Sequence, residues 1–265
     1  MTNADRERIM TLLQHLPGKV SAVAWQPATG ERLEFQPDLP HIAASIIKIP
    51  VMVEAFRRRE EGTLDFAEEM MIREEDKMPS CGALTYMHTG LKVTVGDLVA
   101  LMIILSDNTA TNLLIGRLGI EAVNRTMDAA GLSTGTRLRR RLFDAESAAK
   151  GIENTVTAAD TVSLLQGMRT GTLISPQASA EMLEILGNQR LNGKMPFYLH
   201  SHEIDCAHKT GEDDGITHDA GMIRTDPEWI FCFLSSETEV PEAERGIQEI
   251  AARLAGVFPE EGTEV

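Results

Sequence analysis

Ser45-Ile46-Ile47-Lys48 decides how this chain reads, set between His41-Ile42-Ala43-Ala44 and Ile49-Pro50-Val51-Met52-Val53. On a helix, residues i and i+3 share a face, so the Ser45 hydroxyl and the Lys48 amine point the same way. The flanks are almost wholly apolar, and Lys48 is the only fixed charge between Asp38 and Glu54. Serine attacks a carbonyl only when a base takes its proton, and lysine becomes such a base when burial and cationic neighbours suppress its charge. A serine three residues before a lysine also arises by chance, so the rest of the chain must carry the weight.

Outward from this stretch the hydrophobic pattern changes period. On the N-terminal side Ile9, Leu12, Leu13 and Leu16 have helical spacing and Pro17-Gly18 stops them. Val20 to Trp25, the turn Pro27-Ala28-Thr29-Gly30 and Glu31 to Phe35 read as a β-hairpin. On the other side the Ser45 helix runs to about Glu61, and Arg57-Arg58-Arg59 reads as a solvated last turn that suits the helix dipole. Val93 to Ser106 is apolar on nearly all sides, which predicts a helix buried within a lobe. Further helices follow from Thr109, Gly119, Ala158 and Gln177, separated by a charged, irregular stretch over 134–155. Asp205 to Thr210, His218 to Arg224 and Trp229 to Ser235 then read as strands, before a helix from Pro241 to Ala255. Strands at both ends with helices between them predict an α+β protein. One antiparallel sheet is built from both termini and flanked by helices, and an all-helical lobe is inserted. Residues 1–62 and 201–265 form the first lobe, 63–200 the second, with the site in the seam.

Composition narrows the partners. The 265 residues are 43% hydrophobic and 25% charged, enough for a sizeable core. A net charge of −15 argues against nucleic acid and against an anionic membrane surface. No apolar stretch reaches a membrane span and the polar N-terminus lacks a secretory signal, so the chain as given is expected in the cytoplasm unless a leader was removed. Cys81, Cys206 and Cys232 suggest neither a disulfide framework nor a metal knuckle, and read as reduced thiols. His200, His202, Cys206, His208 and His218 fit no zinc spacing, so no metal or cofactor is expected. His218-Asp219 reads as a structural hydrogen-bonded pair. Oligomeric state is not legible.

Two further motifs change the odds at Ser45. Ser106-Asp107-Asn108 follows the apolar helix, and Lys209-Thr210-Gly211 lies in the first C-terminal strand. With the run from Thr94-Val95-Gly96-Asp97-Leu98 to Thr111-Asn112-Leu113-Leu114, these motifs, in this order, resemble the penicillin-recognising serine hydrolases, specifically the class A β-lactamase-like branch. The resemblance covers about residues 20 to 257. It implies Ser45 as acylated nucleophile, Lys48 as general base and Ser106 as proton shuttle. Asn108 would bond the substrate amide, Lys209 and Thr210 its carboxylate, and Gly211 would leave room along the edge strand. The N–H groups of Ser45 and Glu212 would form the oxyanion hole. Asp107 reads instead as a turn residue bonded to local backbone, and Thr109, Thr111 and Asn112 as helix capping and packing.

The pattern breaks in two places. Thr136-Arg137-Leu138 matches the family, but the family's register then places Leu142 where a water-activating glutamate is expected. The nearest carboxylates are Asp144 and Glu146. Either a shifted loop presents one of them as the deacylation base, or both belong to an ion-pair lattice with Arg137 and Arg139 to Arg141. Glu212-Asp213-Asp214 also replaces small residues after the third motif, which points to a neutral or amine-bearing substrate. The expectation is a serine acyl-transfer hydrolase acting on a β-lactam or a related amide or ester. A sensor that is acylated without efficient turnover, a peptidase or esterase, and an inert scaffold stay open as alternatives.

Overall fold

Thr2 starts the first helix by accepting the Asp5 N–H at 3.1 Å, and the chain of the computed structural model is described over residues 1–258. Its elements are α1 (Asn3–His15), β1 (Lys19–Gln26), β2 (Glu31–Phe35), β3 (His41–Ile42), α2 (Lys48–Glu60), β4 (Glu69–Met71), β5 (Lys92–Thr94), α3 (Val95–Ile104), α4 (Asn108–Leu118) and α5 (Ile120–Ala129). These continue with α6 (Ala145–Ala149), β6 (Thr155–Val156), α7 (Ala158–Thr170), α8 (Pro176–Gly187), β7 (Cys206–Asp213), β8 (Ile216–Ile223), β9 (Trp229–Ser236) and α9 (Val240–Leu254). The main sheet is antiparallel with strand order β2-β1-β9-β8-β7. The α+β architecture expected from the period change is therefore present, with the two ends of the chain meeting where β1 pairs β9.

The two faces of this sheet are covered differently. Ala22, Ala24, Phe231 and Phe233 face α1 and α9, packing on Ile9, Leu13, Ile247 and Ile250. On the other face Val23, Ala207, Ala220 and Leu234 join an apolar cluster that continues into α2, α3, α7 and α8. Thr94 and Asp97 form a capping box at the start of α3, whose Leu98, Val99, Met102 and Ile103 have no solvent exposure. Truncating one such side chain to alanine costs roughly 2–5 kcal/mol, so this helix fixes the level at which its C-terminal loop emerges.

Three local readings change. Ser45 does not lie within the α-helix: it sits on a 3₁₀ turn, Ala44–Ile47, and α2 begins at Lys48. Pro50 falls in the first turn of α2, where its missing N–H costs no helical bond. The short pairs β4 with β5 and β3 with β6 interrupt the stretch read as helices and loops, because two or three residues cannot display an alternating pattern. Arg57 and Arg58 do not form a solvated helix end; they close on the fully buried carboxylate of Glu54 at 2.7 and 2.6 Å. A buried carboxylate needs such partners. Arg59 pairs with Glu181 and lies over the rings of Phe56 and Phe66 at 4.4 and 4.7 Å. Among the described residues no helix is long and apolar enough to cross a membrane.

Candidate active site

The loop after α3 turns sharply at Ser106, which holds φ +54°, a left-handed conformation unusual for a serine. Asp107 makes that turn rigid. One of its oxygens accepts the Ala110 N–H at 2.9 Å as the N-cap of α4, and the other accepts the N–H groups of Ala83 and Leu84 at 2.7 and 2.8 Å. Gly82 is required beside it, since a Cβ there would lie 2.3 Å from the Asp107 carboxylate. The structural reading of Asp107 holds, and the consequence is that Ser106 is presented to the 3₁₀ turn carrying Ser45.

Ser106 is the hub. Its Oγ donates to Ser45 Oγ at 2.8 Å and accepts from Lys48 Nζ at 2.9 Å and from Lys209 Nζ at 3.1 Å. Lys48 also donates to the Ser106 carbonyl at 2.7 Å and to Asn108 Oδ1 at 2.9 Å. These bonds take all three donors of its ammonium. The direct Lys48 to Ser45 bond expected from helical spacing is therefore replaced by a relay through Ser106, because Ser106 and Asn108 take all the Lys48 donors.

Both lysines are fully buried. Burial, and then the charge of Lys209, hold the Lys48 amine well below its ordinary range. Burial likewise lowers Lys209 to about 7, with the Asp219 carboxylate opposing the shift. Lys209 also donates to the Thr210 carbonyl at 2.8 Å. Gly211 is closely packed: a Cβ there would come within 3.1–3.3 Å of the side chains of His218 and Ile46, the latter on the 3₁₀ turn that carries Ser45. Its carbonyl is held by buried Lys194 at 3.1 Å, which also pairs with Glu212 at 3.0 Å. Sequence reasoning missed Lys194, which lies in an irregular segment with no motif around it.

A cleft of about 520 Å³ opens over Ser45. One wall carries Ser80, Cys81 and Asn108, whose side-chain amide donates to the Pro79 carbonyl at 3.0 Å; another carries Glu212 and Asp213 at the end of β7. The facing wall is the loop with Arg140, Leu142, Phe143 and Asp144. Asn112, read from sequence as helix packing, clamps this loop: it accepts the Leu142 N–H at 2.8 Å and donates to the Leu142 carbonyl at 2.9 Å. Asp144 borders the cleft, but its two oxygens accept the N–H and hydroxyl of Ser147 at 3.0 and 2.7 Å. Glu146 pairs with Lys150 at 2.6 Å and is not among the lining residues. The ion-pair lattice expected around them has other members: Arg137 with Asp128, and Arg140 with Glu153, each at 2.5 Å.

Ala44, Ser80, Ser106 and Phe143 all hold positive φ, between +42° and +72°. Non-glycine residues in that region persist where surrounding structure forces them, and they gather at functional sites. Here three line the cleft and the fourth bonds the nucleophile candidate. The histidines do other work. His208 bonds Asp219 at 2.8 Å and Asn192 at 3.1 Å, so the expected His–Asp pair involves His208 in place of His218. His218 bonds the Ile42 carbonyl at 2.9 Å and accepts the Ser235 N–H.

This architecture, a terminal-strand sheet with the Ser45 turn beneath its edge and helices across the cleft, is the β-lactamase and transpeptidase fold. The chain belongs to the β-lactamase enzyme family, whose model matches residues 5–258. A β-lactamase of Rhodobacter capsulatus is 27% identical over 191 residues, 71% of this chain and 64% of that relative's length. The crystal structure of a β-lactamase from Sphaerobacter thermophilus superposes with a TM-score of 0.88 at 28% identity, covering 98% of this chain and 100% of the other. PBP-A superposes with a TM-score of 0.85 at 25% identity over 96% of this chain and 95% of its own, and its leucine-to-glutamate variant is known as an acyl-enzyme complex with penicillin G.

Proposed function

We propose that the protein is a serine acyl-transfer hydrolase of the class A β-lactamase type, with Ser45 as the nucleophile toward a β-lactam or related amide or ester. The observation that carries this reading is the hydroxyl relay from Ser45 through Ser106, 2.8 Å away, to a buried lysine 2.9 Å beyond it. With Lys48 neutral and both hydroxyls rotated, the Ser45 proton passes to Ser106 Oγ as that group gives its own to Lys48 Nζ. Ser45 Oγ then bonds to the carbonyl carbon, and the N–H groups of Ser45 and Glu212 hold the oxyanion. The C–N bond breaks as the proton returns through Ser106 to the leaving nitrogen. Asn108, Lys209, Thr210 and Gly211 orient the substrate around this centre. Water later cleaves the acyl ester.

A second reading is favoured by a specific observation. The cleft wall holds Leu142, and the Asp144 and Glu146 carboxylates are engaged by Ser147 and Lys150. Without a free carboxylate on the wall facing Ser45 to activate water, the acyl group persists. The protein then captures its substrate with little turnover.

Incubation with a chromogenic β-lactam, followed by intact-mass measurement over time, tests both readings. A single adduct absent from Ser45→Ala is expected, decaying slowly. No adduct on the parent protein sinks the hydrolase reading, and decay within seconds sinks the slow-turnover reading.

A further inference from the structure

The charges around the cleft are unevenly satisfied. Arg140 is the only cation among the lining residues, and it is closed on Glu153 at 2.5 Å while donating to the Ile152 carbonyl. Lys194, behind the strand end, holds Glu212 and the Gly211 carbonyl. Lys209 is fully buried and directs its bonds at Ser106 and Thr210. Arg140 and Lys194 are thus paired with carboxylates, and Lys209, buried and outside the cleft lining, makes two of the three bonds an ammonium can donate.

The lining carboxylates differ from one another. Glu153 is neutralised by Arg140, Asp144 is bonded by Ser147, and Glu212 is paired with Lys194. Asp213 is exposed, lines the cleft, and accepts only the N–H of the next residue at 2.9 Å among the described contacts. Asp214, equally acidic in sequence, does not reach the cleft lining. The sequence-level hint from three consecutive carboxylates therefore narrows to one side chain. Two exposed apolar groups share the cleft with it: Phe143, at 51% exposure, and Ile42, at 39%. The overall charge of −15 adds a field that attracts cations and repels anions at every approach.

We propose that the cleft selects acyl donors bearing a protonated amine beside an apolar group, with Asp213 as the residue that recognises the ammonium. This deepens the hydrolase reading and rests on it for the word donor; the charge preference of the cleft stands on geometry alone. Ammonium attraction at a rim carboxylate, together with carboxylate repulsion, gives a discrimination of about tenfold.

The test uses one chromogenic β-lactam in three forms: free carboxylate, methyl ester, and an amide carrying an aminoethyl arm. Acylation rates are measured for the parent and for Asp213→Asn, and dissociation constants of all three forms are measured calorimetrically on Ser45→Ala. The expected order is ammonium, then ester, then carboxylate, with the ammonium-to-carboxylate ratio near ten and falling at least threefold in Asp213→Asn. A carboxylate preference, or a ratio unmoved by Asp213→Asn, overturns the proposal. If no form acylates Ser45, the hydrolase reading fails while the dissociation constants still decide the charge preference; no measurable binding of the ammonium form also counts against it.

Discussion

The two walls of the cleft are built on opposite plans. The wall beneath Ser45 is dense, with two buried lysines and the Ser45 hydroxyl meeting at one oxygen of Ser106. The facing wall between Arg140 and Asp144 is held through its backbone by Asn112 and Asn154, while its carboxylates answer to local partners. Under the proposed function the groups that form the acyl bond are in mutual contact, and none of comparable chemistry stands on the facing wall to break it. On that reading, capture and release fall to separate surfaces.

Substitutions on each wall sharpen or break this contrast. The largest effect belongs to the dense wall: Lys48→Met removes the terminal proton acceptor and is expected to slow acylation by about 10²–10⁴-fold, read by stopped-flow with the chromogenic substrate. A loss below tenfold would move the base elsewhere. On the facing wall Leu142→Glu leaves the Asn112 clamp intact and sets a carboxylate in the cleft; the expected gain in adduct decay is about 10²-fold, measured by mass spectrometry after excess reagent is removed. An unchanged lifetime would break the contrast.

A smaller effect is expected at Lys209. Its charge helps to hold the Lys48 amine down, and Lys48 acts only when neutral, above its own pKa. Lys209→Met therefore raises that pKa and shifts the rising limb of the acylation pH profile to higher pH. Because burial is the larger cause, the limb stays below the ordinary lysine range. A shift to lower pH would contradict the coupling. The smallest change belongs to Asp144→Asn, which is expected to alter adduct lifetime less than about twofold, since the carboxylate caps a helix turn. A tenfold longer lifetime would restore Asp144 as the water-activating base.

The fold was legible because strands β1, β2 and β9 alternate or run apolar at lengths that set them apart from helices. Ser45, Lys48, Ser106 and Lys209 were legible because their motifs name them. What escaped was contact made through space. Asn112 looked like one more polar residue on a helix until its carboxamide was seen on the Leu142 backbone. Lys194 carried no motif, and the positive φ of Ser106, which makes it the hub, leaves no trace in residue type.

The pairing of β1 with β9 carries a further consequence for how this chain comes to life during synthesis. Val23 meets Cys232 in that register, so the sheet stays open until nearly the whole polypeptide is available. Contacts this remote in sequence form late and slowly. Lys209 belongs to a strand that joins the sheet only through β8, whose other neighbour is β9. A chain lacking β8 and β9 therefore carries Ser45 without the strand neighbours that place Lys209 beside Ser106.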